Sequence, residues 1–356
     1  MGVTHGQYGE VQTFGKRCLT WFQEVIVASQ RILDEVGALS VSRLSGAMGN
    51  YGGVTPEIEE KALEILGFKP FYGATQILPR QLFAPLASSL ATLVAVISKI
   101  GTDVRLGARS PRPIYQEPFG KKQTGSSRMP QKKNTISCER LEGMERMALG
   151  YLMMIMQNVR TWEERAIEQS SVERVAWPDL FHVVMRSLTV LAKVMEGLQV
   201  YPDNMIMDIY DTRGTWAAGP AKEFLRERLA PLGITTEEAY RIVQLASFIA
   251  FRPSIEADIV RTKPPQSLEE ADNCGRRLAK LSDARKASIE NIIPTGRLFV
   301  IPELDVTPEQ LDKWDLALAQ FFGAAGNCLE WRSVFSIQAR LKDEAHLFKQ
   351  ILGAES

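Results

Sequence analysis

One loop of the sequence holds most of the residues that could do chemistry. Between Pro118 and Cys138 there is no Asp or Glu, whereas the same window contains five cationic residues, Lys121, Lys122, Arg128, Lys132 and Lys133. Its small residues at positions 125–127 would let backbone N–H groups approach an anion closely. A solvated basic loop would have the same composition. The functional interpretation is a site for carboxylate or phosphate groups.

Other residues that could catalyse a reaction or bind a metal are dispersed. The histidines lie far apart, and no CxxC pair occurs among Cys18, Cys138, Cys274 and Cys328. This pattern predicts reduced thiols, no metal site and no disulfide framework. Neither a GxxxxGK[ST] loop nor a GxGxxG fingerprint is present, so a nucleoside triphosphate or dinucleotide fold is unsupported. We expect no cofactor.

Long helices flank the basic loop and must position it. Apolar residues at three- and four-residue steps predict helices that begin near residue 14, span about 80–109, run from about 137 to 162, and open at Pro178 to continue to about residue 198. On the third helix we expect an inward face formed by Met144, Met147, Tyr151, Met154 and Ile155. Strand-like alternation is nearly absent. The predicted fold class is all-α, a long-helix bundle completed by oligomerisation.

The chain is predicted to contain two domains. Residues 1–251 would form a central helical bundle that carries the loop 118–138, and residues 252–356 a C-terminal helical domain reached through a linker at 252–266. The Gly-rich segment 42–56 predicts a loop or a broken helix. The loop 109–135 is of a length that is usually functional or disordered.

The composition restricts the class of function. The 356 residues contain 42 Lys and Arg against 42 Asp and Glu, whereas a nucleic-acid-binding protein normally has a basic excess. No strictly apolar stretch approaches the roughly 20 residues of a membrane span. The first residues lack the basic and apolar regions of a signal peptide. We therefore expect a cytoplasmic protein that binds neither nucleic acid nor a membrane.

Residues 125–134 read GSSRMPQKKN and match the GSSxMPxKxN signature of the fumarase/aspartase superfamily. This superfamily is all-α and assembles as homotetramers with shared active sites. Its members eliminate fumarate from a succinyl compound or add to it. The resemblance extends from Thr4 to about Gln244 and weakens after that. It implies a lyase that acts on a small anionic substrate.

Further blocks resemble adenylosuccinate lyase. Near the start these blocks are THGQ (4–7) and TFGK (13–16), followed by SGAMG (45–49) and a TQ pair (75–76). Farther along the chain they are WEER (162–165), SSVER (170–174) and EEAY (237–240). The MPQKKN block is closer to argininosuccinate lyase, so argininosuccinate or another succinyl compound remains an alternative substrate. The family's SQR-like triplet is replaced at 218–220, and its N-terminal domain does not precede THGQ. A truncated, inactive paralogue acting as a helical scaffold is a further alternative.

The resemblance implies a role for each matching residue. Ser126 would be the base, His5 the general acid, and Glu139 the carboxylate that positions this histidine across a subunit boundary. The succinyl carboxylates, nucleotide and phosphate would be bound by Thr4, Gln76, Ser127, Met129, Lys132, Asn134, Arg140, Arg165, Ser170 and Arg174. Without the resemblance, the three arginines would be interpreted as surface partners of Glu163, Glu164 or Glu173.

The implied reaction is elimination of fumarate from adenylosuccinate, giving AMP. The same enzyme would act on the succinylated aminoimidazole carboxamide ribotide in purine biosynthesis. A serine hydroxyl is too weak an acid to ionise unaided at neutral pH, so the site must stabilise anions strongly. The basic loop without acidic residues meets that requirement.

Overall fold

The computed structural model describes residues 1–120, 123, 125–126, 128–129, 131–251, 288–296, 298–301 and 303–353. The chain forms two compact units, one of Arg17–Asn204 and one of Met1–Lys16 with Met205–Ser356. The predicted linker 252–266 lies outside the described residues. The predicted domain boundary after residue 251 falls at their edge and stays a prediction.

Helices dominate the first half of the chain, which confirms the predicted all-α helical bundle; its completion by oligomerisation stays a prediction. In chain order they are α1 Phe14–Ala38, α2 Pro56–Ile65, α3 Ala84–Gly107, α4 Ile136–Gln157, α5 Ile167–Glu196 and α6 Pro202–Asp211. A 3-10 turn, Arg80–Leu82, precedes α3. Helices α3, α4 and α5 pack against one another. The predicted helix starts near residues 14, 80 and 137 are confirmed.

Helix α3 forms the centre of this packing. Its apolar positions at helical spacing are buried: Leu86, Leu90, Leu93, Ile97, Ile100 and Val104. Among the described residues, the 3-10 turn and α3 together, Arg80–Gly107, have the length and apolar content to cross a membrane. However, 61% of the most apolar window of this stretch is buried inside the fold. A core helix shows these same properties, so this is weak evidence for a membrane span.

The fourth predicted helix was placed wrongly. Helix α5 begins at Ile167, and Pro178 lies inside it. A proline inside a helix lacks the N–H that would bond the carbonyl of residue 174, four positions earlier. The helix nevertheless continues, and Ala176 and Leu180 on either side are fully buried. Their packing outweighs the free-energy cost of the missing hydrogen bond. The preference of proline for helix starts takes no account of such packing.

The predicted inward face of the third helix is partly wrong. Ile155 on α4 is buried, but Met147 is 51% and Met154 46% exposed. Helix α1 likewise exposes Phe22 and Leu33, which belong to its apolar stripe. A face that packs within a chain and one that packs against another chain have the same helical period. Periodicity alone therefore could not assign these residues to the core.

In the part of the chain that the structure describes, six two-residue strands form three pairs. Strands β1 (Val3–Thr4) and β2 (Gln7–Tyr8) are antiparallel, as are β5 (Tyr115–Gln116) and β6 (Gln199–Val200). The parallel pair consists of β3 (Val41–Ser42) and β4 (Lys69–Pro70). The β5–β6 pair places the beginning of the basic loop beside the end of α5.

The second unit is also helical where it is described. It contains α7 (Ala218–Leu229) and α8 (Thr236–Phe251), with 3-10 turns at Thr215–Ala217 and Ala230–Leu232. Further helices lie at Ile289–Ile292, Pro308–Phe322, Asn327–Ser333, Ile337–Leu341 and Glu344–Leu352. Trp314 and Trp331 are the largest side chains of its core. The N-terminal segment is bound to the last helix, because the Thr13 hydroxyl donates to Glu344 at 2.5 Å.

Candidate active site

The signature loop, residues 125–134, is closed by hydrogen bonds between its own residues. The Asn134 amide donates to the Gly125 carbonyl at 3.0 Å, and the Lys132 N–H donates to the Met129 carbonyl at 2.9 Å. A Cβ on Gly125 would lie 2.1 Å from the Lys132 carbonyl oxygen, so a side chain does not fit there. Gly125 and Asn134 of the signature are thus required by the loop's own conformation.

Ser126 is half-buried in this loop, and its neighbour Ser127 lies outside the described residues. The Ser126 Oγ accepts the Met129 N–H at 3.2 Å. This bond fixes the Ser126 oxygen within the turn of the loop.

A cleft of about 910 Å³ opens beside the loop. Of the residues predicted for the site, it is lined by Met129, Lys132, Asn134 and Glu139. Ser126 is joined to this lining through its bond with Met129. The charged residues that line the cleft are Arg105, Arg109, Lys132, Lys133 and Glu139, and Arg105 is itself paired with Glu139 and Glu142. This charge balance suits an anionic ligand.

Glu139 lies in the first turn of α4, and its side chain is exposed. Its carboxylate is 3.8 Å from the guanidinium of Arg105 on α3. Arg105 also pairs with Glu142 and lowers the pKa of that carboxyl through a side-chain hydrogen bond. Within the described part of one chain, the charged neighbour of Glu139 is therefore an arginine.

Sequence reasoning missed Glu117, which holds the start of α4. Its carboxylate is 4% exposed and accepts the backbone N–H groups of Ser137 at 3.0 Å and Cys138 at 2.9 Å. Thr135, at the N-cap position, makes no side-chain capping bond. Burial, followed by the hydrogen bond to Glu117, raises the pKa of Cys138. The only signal in the sequence was an acidic residue directly before the acid-free window.

We expect Glu117→Gln to lower the free energy of unfolding by about 1–3 kcal/mol, because a neutral amide replaces a charged acceptor of two buried N–H groups. Denaturant unfolding measures this loss. The control is Glu168→Gln, which changes an exposed carboxylate in the first turn of α5. Equal stability changes for the two variants would contradict the capping role.

A second group of predicted residues joins two other loops of the same unit. Arg165 donates to the Gln76 side-chain oxygen at 3.2 Å, and the Thr75 hydroxyl donates to the Glu164 carbonyl at 2.9 Å. Glu163, between Trp162 and these residues, has a left-handed φ of 49°. The TQ and WEER motifs, which lie far apart in sequence, are therefore in direct contact.

The remaining predicted arginines are exposed. Arg140 lies on α4 and Arg174 on α5, one turn after Ser170, whose hydroxyl donates to the Ile167 carbonyl. In the described part of the chain, none of Arg140, Arg165 and Arg174 pairs with a glutamate of the WEER or SSVER motif. Glu173 instead pairs with Arg80 at 2.5 Å. Among the described residues, the salt bridges of the surface interpretation are therefore not formed.

Thr4 and His5 belong to the other unit, where they form part of the β1–β2 hairpin. His5 has φ 53° and Gly6 φ 74°, the two left-handed positions of a type I′ turn. Histidine adopts this region more readily than most residues. The THGQ motif thus forms a two-residue turn that exposes the imidazole at its tip.

Comparisons with known proteins agree with the motif resemblance. A family described as lyases matches residues 1–150. The adenylosuccinate lyase of Thermotoga maritima is 38% identical over 68% of this chain and 56% of its own length. That of Synechocystis is 34% identical over 77% of this chain and 64% of its own length. The chain therefore spans roughly three fifths of these curated relatives.

Solved structures show the same fold. A fumarate lyase from Mesorhizobium aligns with a TM-score of 0.68 at 19% identity, over 99% of this chain and 66% of that one. The β-carboxy-cis,cis-muconate cycloisomerase of Acinetobacter calcoaceticus aligns with a TM-score of 0.66 at 17% identity, over 99% and 65%. From its sequence relatives and its helical architecture, the chain belongs to the fumarase/aspartase superfamily of lyases.

Proposed function

We propose that the chain eliminates fumarate from adenylosuccinate, giving AMP, and from the succinylated aminoimidazole carboxamide ribotide of purine biosynthesis. The observation that carries this proposal is the cleft beside the signature loop, which is lined by four basic residues and one acidic one. The relatives named above as adenylosuccinate lyases favour this substrate over other succinyl compounds.

In the proposed reaction, ionised Ser126 removes a proton from the succinyl carbon beside a carboxylate. The electron pair moves into that carboxylate, which becomes an aci-carboxylate. Lys132 and Asn134 hold the succinyl carboxylates by charge and by amide donation. His5, positioned by Glu139 of another copy, protonates the leaving nitrogen as the carbon–nitrogen bond breaks. Thr4, Ser127 and Met129 are assigned to substrate binding.

The nucleotide end of the substrate is assigned to the other predicted residues. Gln76 and Arg165 already contact each other at 3.2 Å, and the Arg165 side chain is exposed. Arg140, Ser170 and Arg174 add donors on α4 and α5. A guanidinium pairs bidentately with phosphate oxygens, which suits a nucleoside monophosphate.

A homotetramer with shared active sites is part of the proposal. Its support is the set of exposed apolar side chains on α1, α4 and α5, which includes Phe22, Leu33, Met147, Met154, Val175 and Met185. Large apolar side chains exposed along long helices normally pack against other helices. We also propose that the enzyme is cytoplasmic.

We expect Arg174→Ala to raise the KM for adenylosuccinate by about 10- to 100-fold while kcat changes little, because a charged hydrogen bond to phosphate is worth about 1.5–3 kcal/mol. Steady-state kinetics separate the two constants. The control is Arg186→Ala, which removes an exposed arginine farther along α5. An unchanged KM in Arg174→Ala would remove this residue from the phosphate site.

The proposed function is tested by incubating the full-length chain with adenylosuccinate and quantifying both products. Equal amounts of fumarate and AMP are expected. Release of fumarate from argininosuccinate alone would favour the alternative that the MPQKKN block suggests. No release from either compound would favour the scaffold alternative.

A further inference from the structure

Glu59 is a buried carboxylate that the proposed reaction does not use. It lies on α2 and is 0% exposed. One of its oxygens accepts the Leu44 N–H, and the other accepts the Tyr51 hydroxyl at 2.7 Å. Burying a carboxylate is costly unless its oxygens are bonded. Glu59 therefore fixes two points of the segment 43–52, which carries the SGAMG motif.

Tyr51 is held in a conformation that tyrosine seldom adopts. Its φ of 60° is left-handed, which costs on the order of 1–3 kcal/mol and persists only where the surroundings enforce it. Its N–H donates to the Ser45 carbonyl at 2.8 Å, and its hydroxyl bonds Glu59. That hydrogen bond raises the pKa of Tyr51 to about 12.

The segment held in this way lies directly against the backbone before Gln76. A Cβ on Gly49 would be 2.1 Å from the Ala74 carbonyl oxygen, so the two backbones touch. Arg43 donates to the carbonyls of both Gly46 and Gln76. A shift of the segment would therefore move the Gln76 backbone.

The contacts continue from Gln76 to the exposed arginine. The Gln76 side-chain oxygen accepts from Arg165, and Thr75 bonds the backbone of Glu164. Every link from Glu59 to Arg165 is thus a hydrogen bond or a backbone contact within one compact unit.

We propose that Glu59 and Tyr51 are positioning residues that hold Gln76 and Arg165 in place for the anionic nucleotide end of the substrate. This inference rests on the proposed function, in which Gln76 and Arg165 contact that end. Neither Glu59 nor Tyr51 has to touch the substrate. Their effect is on substrate affinity, whereas the catalytic step is left to the signature loop.

The decisive variant is Tyr51→Phe, which removes only the hydroxyl. The chain supplies a matched control in Tyr72→Phe, since the Tyr72 hydroxyl donates to Glu60 at 2.8 Å. Glu60 follows Glu59 on α2, but the Tyr72–Glu60 bond is exposed to solvent. We expect Tyr51→Phe to raise the KM for adenylosuccinate by about 3- to 10-fold with kcat within about twofold, and Tyr72→Phe to change neither.

Glu59→Gln gives a second variant that keeps the size of the side chain. It should raise KM in the same way, and the double variant Tyr51→Phe/Glu59→Gln should be no worse than the poorer single one, because both break one linkage. The affinity for AMP, measured by titration calorimetry, should fall in parallel with the rise in KM.

A role confined to stability would lower the melting temperature and leave KM and AMP affinity unchanged. If Tyr51→Phe and Glu59→Gln had the same KM and the same AMP affinity as Tyr72→Phe, the positioning role would be overturned while the proposed function stood. An unsubstituted chain that neither released fumarate nor bound AMP would overturn both.

Discussion

Ser126→Ala is expected to reduce fumarate release from adenylosuccinate by about 1,000-fold or more, because alanine offers no oxygen to accept the proton. The substitution also removes the acceptor of the Met129 N–H, a bond of 3.2 Å. AMP affinity should stay within about twofold, since Ser126 is assigned to the succinyl carbon and not to the nucleotide. Initial rates and titration calorimetry on the full-length chain measure the two quantities.

The chain provides a control for the lost turn bond. Ser336 accepts the Ala339 N–H at 3.2 Å, with the same three-residue spacing. Because Ser336 is the N-cap of the helix Ile337–Leu341, Ser336→Ala should cost about 0.5–2 kcal/mol of stability and leave turnover unchanged. A Ser126→Ala variant that kept more than about a tenth of the activity would exclude Ser126 as the base.

The second large effect is expected from His5→Asn, which should lower kcat by about 100- to 10,000-fold through loss of the general acid. Asparagine is chosen because it tolerates the left-handed φ of 53° at this position. The hairpin turn should persist, so that the imidazole alone is removed. Stopped assays of fumarate give kcat, and circular dichroism verifies the fold.

His346→Asn is the matched control, because His346 is also exposed and lies in the same unit. It should leave kcat unchanged. If His5→Asn and His346→Asn had equal kcat values, proton delivery to the leaving nitrogen would have to come from another group.

Helical periodicity was enough to predict the all-α fold and to place three of the four predicted helix starts correctly. It was misleading where the structure depends on more than local pattern. Pro178 lies inside α5 because the packing of Ala176 and Leu180 outweighs the missing N–H. Met147 and Met154 have core-like spacing but are exposed in the single chain. Local sequence does not distinguish a face buried within one chain from a face available to another.

The motifs that carry the site were found in sequence because their residues lie close together in the chain. The carboxylates that support these motifs were not found from the sequence, because their hydrogen-bond partners lie farther away along the chain. Glu117 bonds backbone groups 20 and 21 residues later, and Glu59 bonds the Leu44 N–H 15 residues earlier. An isolated glutamate has no pattern that separates such a role from a place on the surface. The contact between Gln76 and Arg165 spans 89 residues and became visible only in the fold.

The proposed function requires that this chain eliminate fumarate from a succinyl nucleotide through Ser126. It is tested most directly by giving the unsubstituted chain and Ser126→Ala an equimolar mixture of adenylosuccinate and argininosuccinate, and by following both compounds chromatographically. The predicted result is that the unsubstituted chain consumes adenylosuccinate with release of AMP and fumarate, leaves argininosuccinate intact, and loses this activity in Ser126→Ala. Consumption of argininosuccinate alone, or equal turnover by the two proteins, would contradict it.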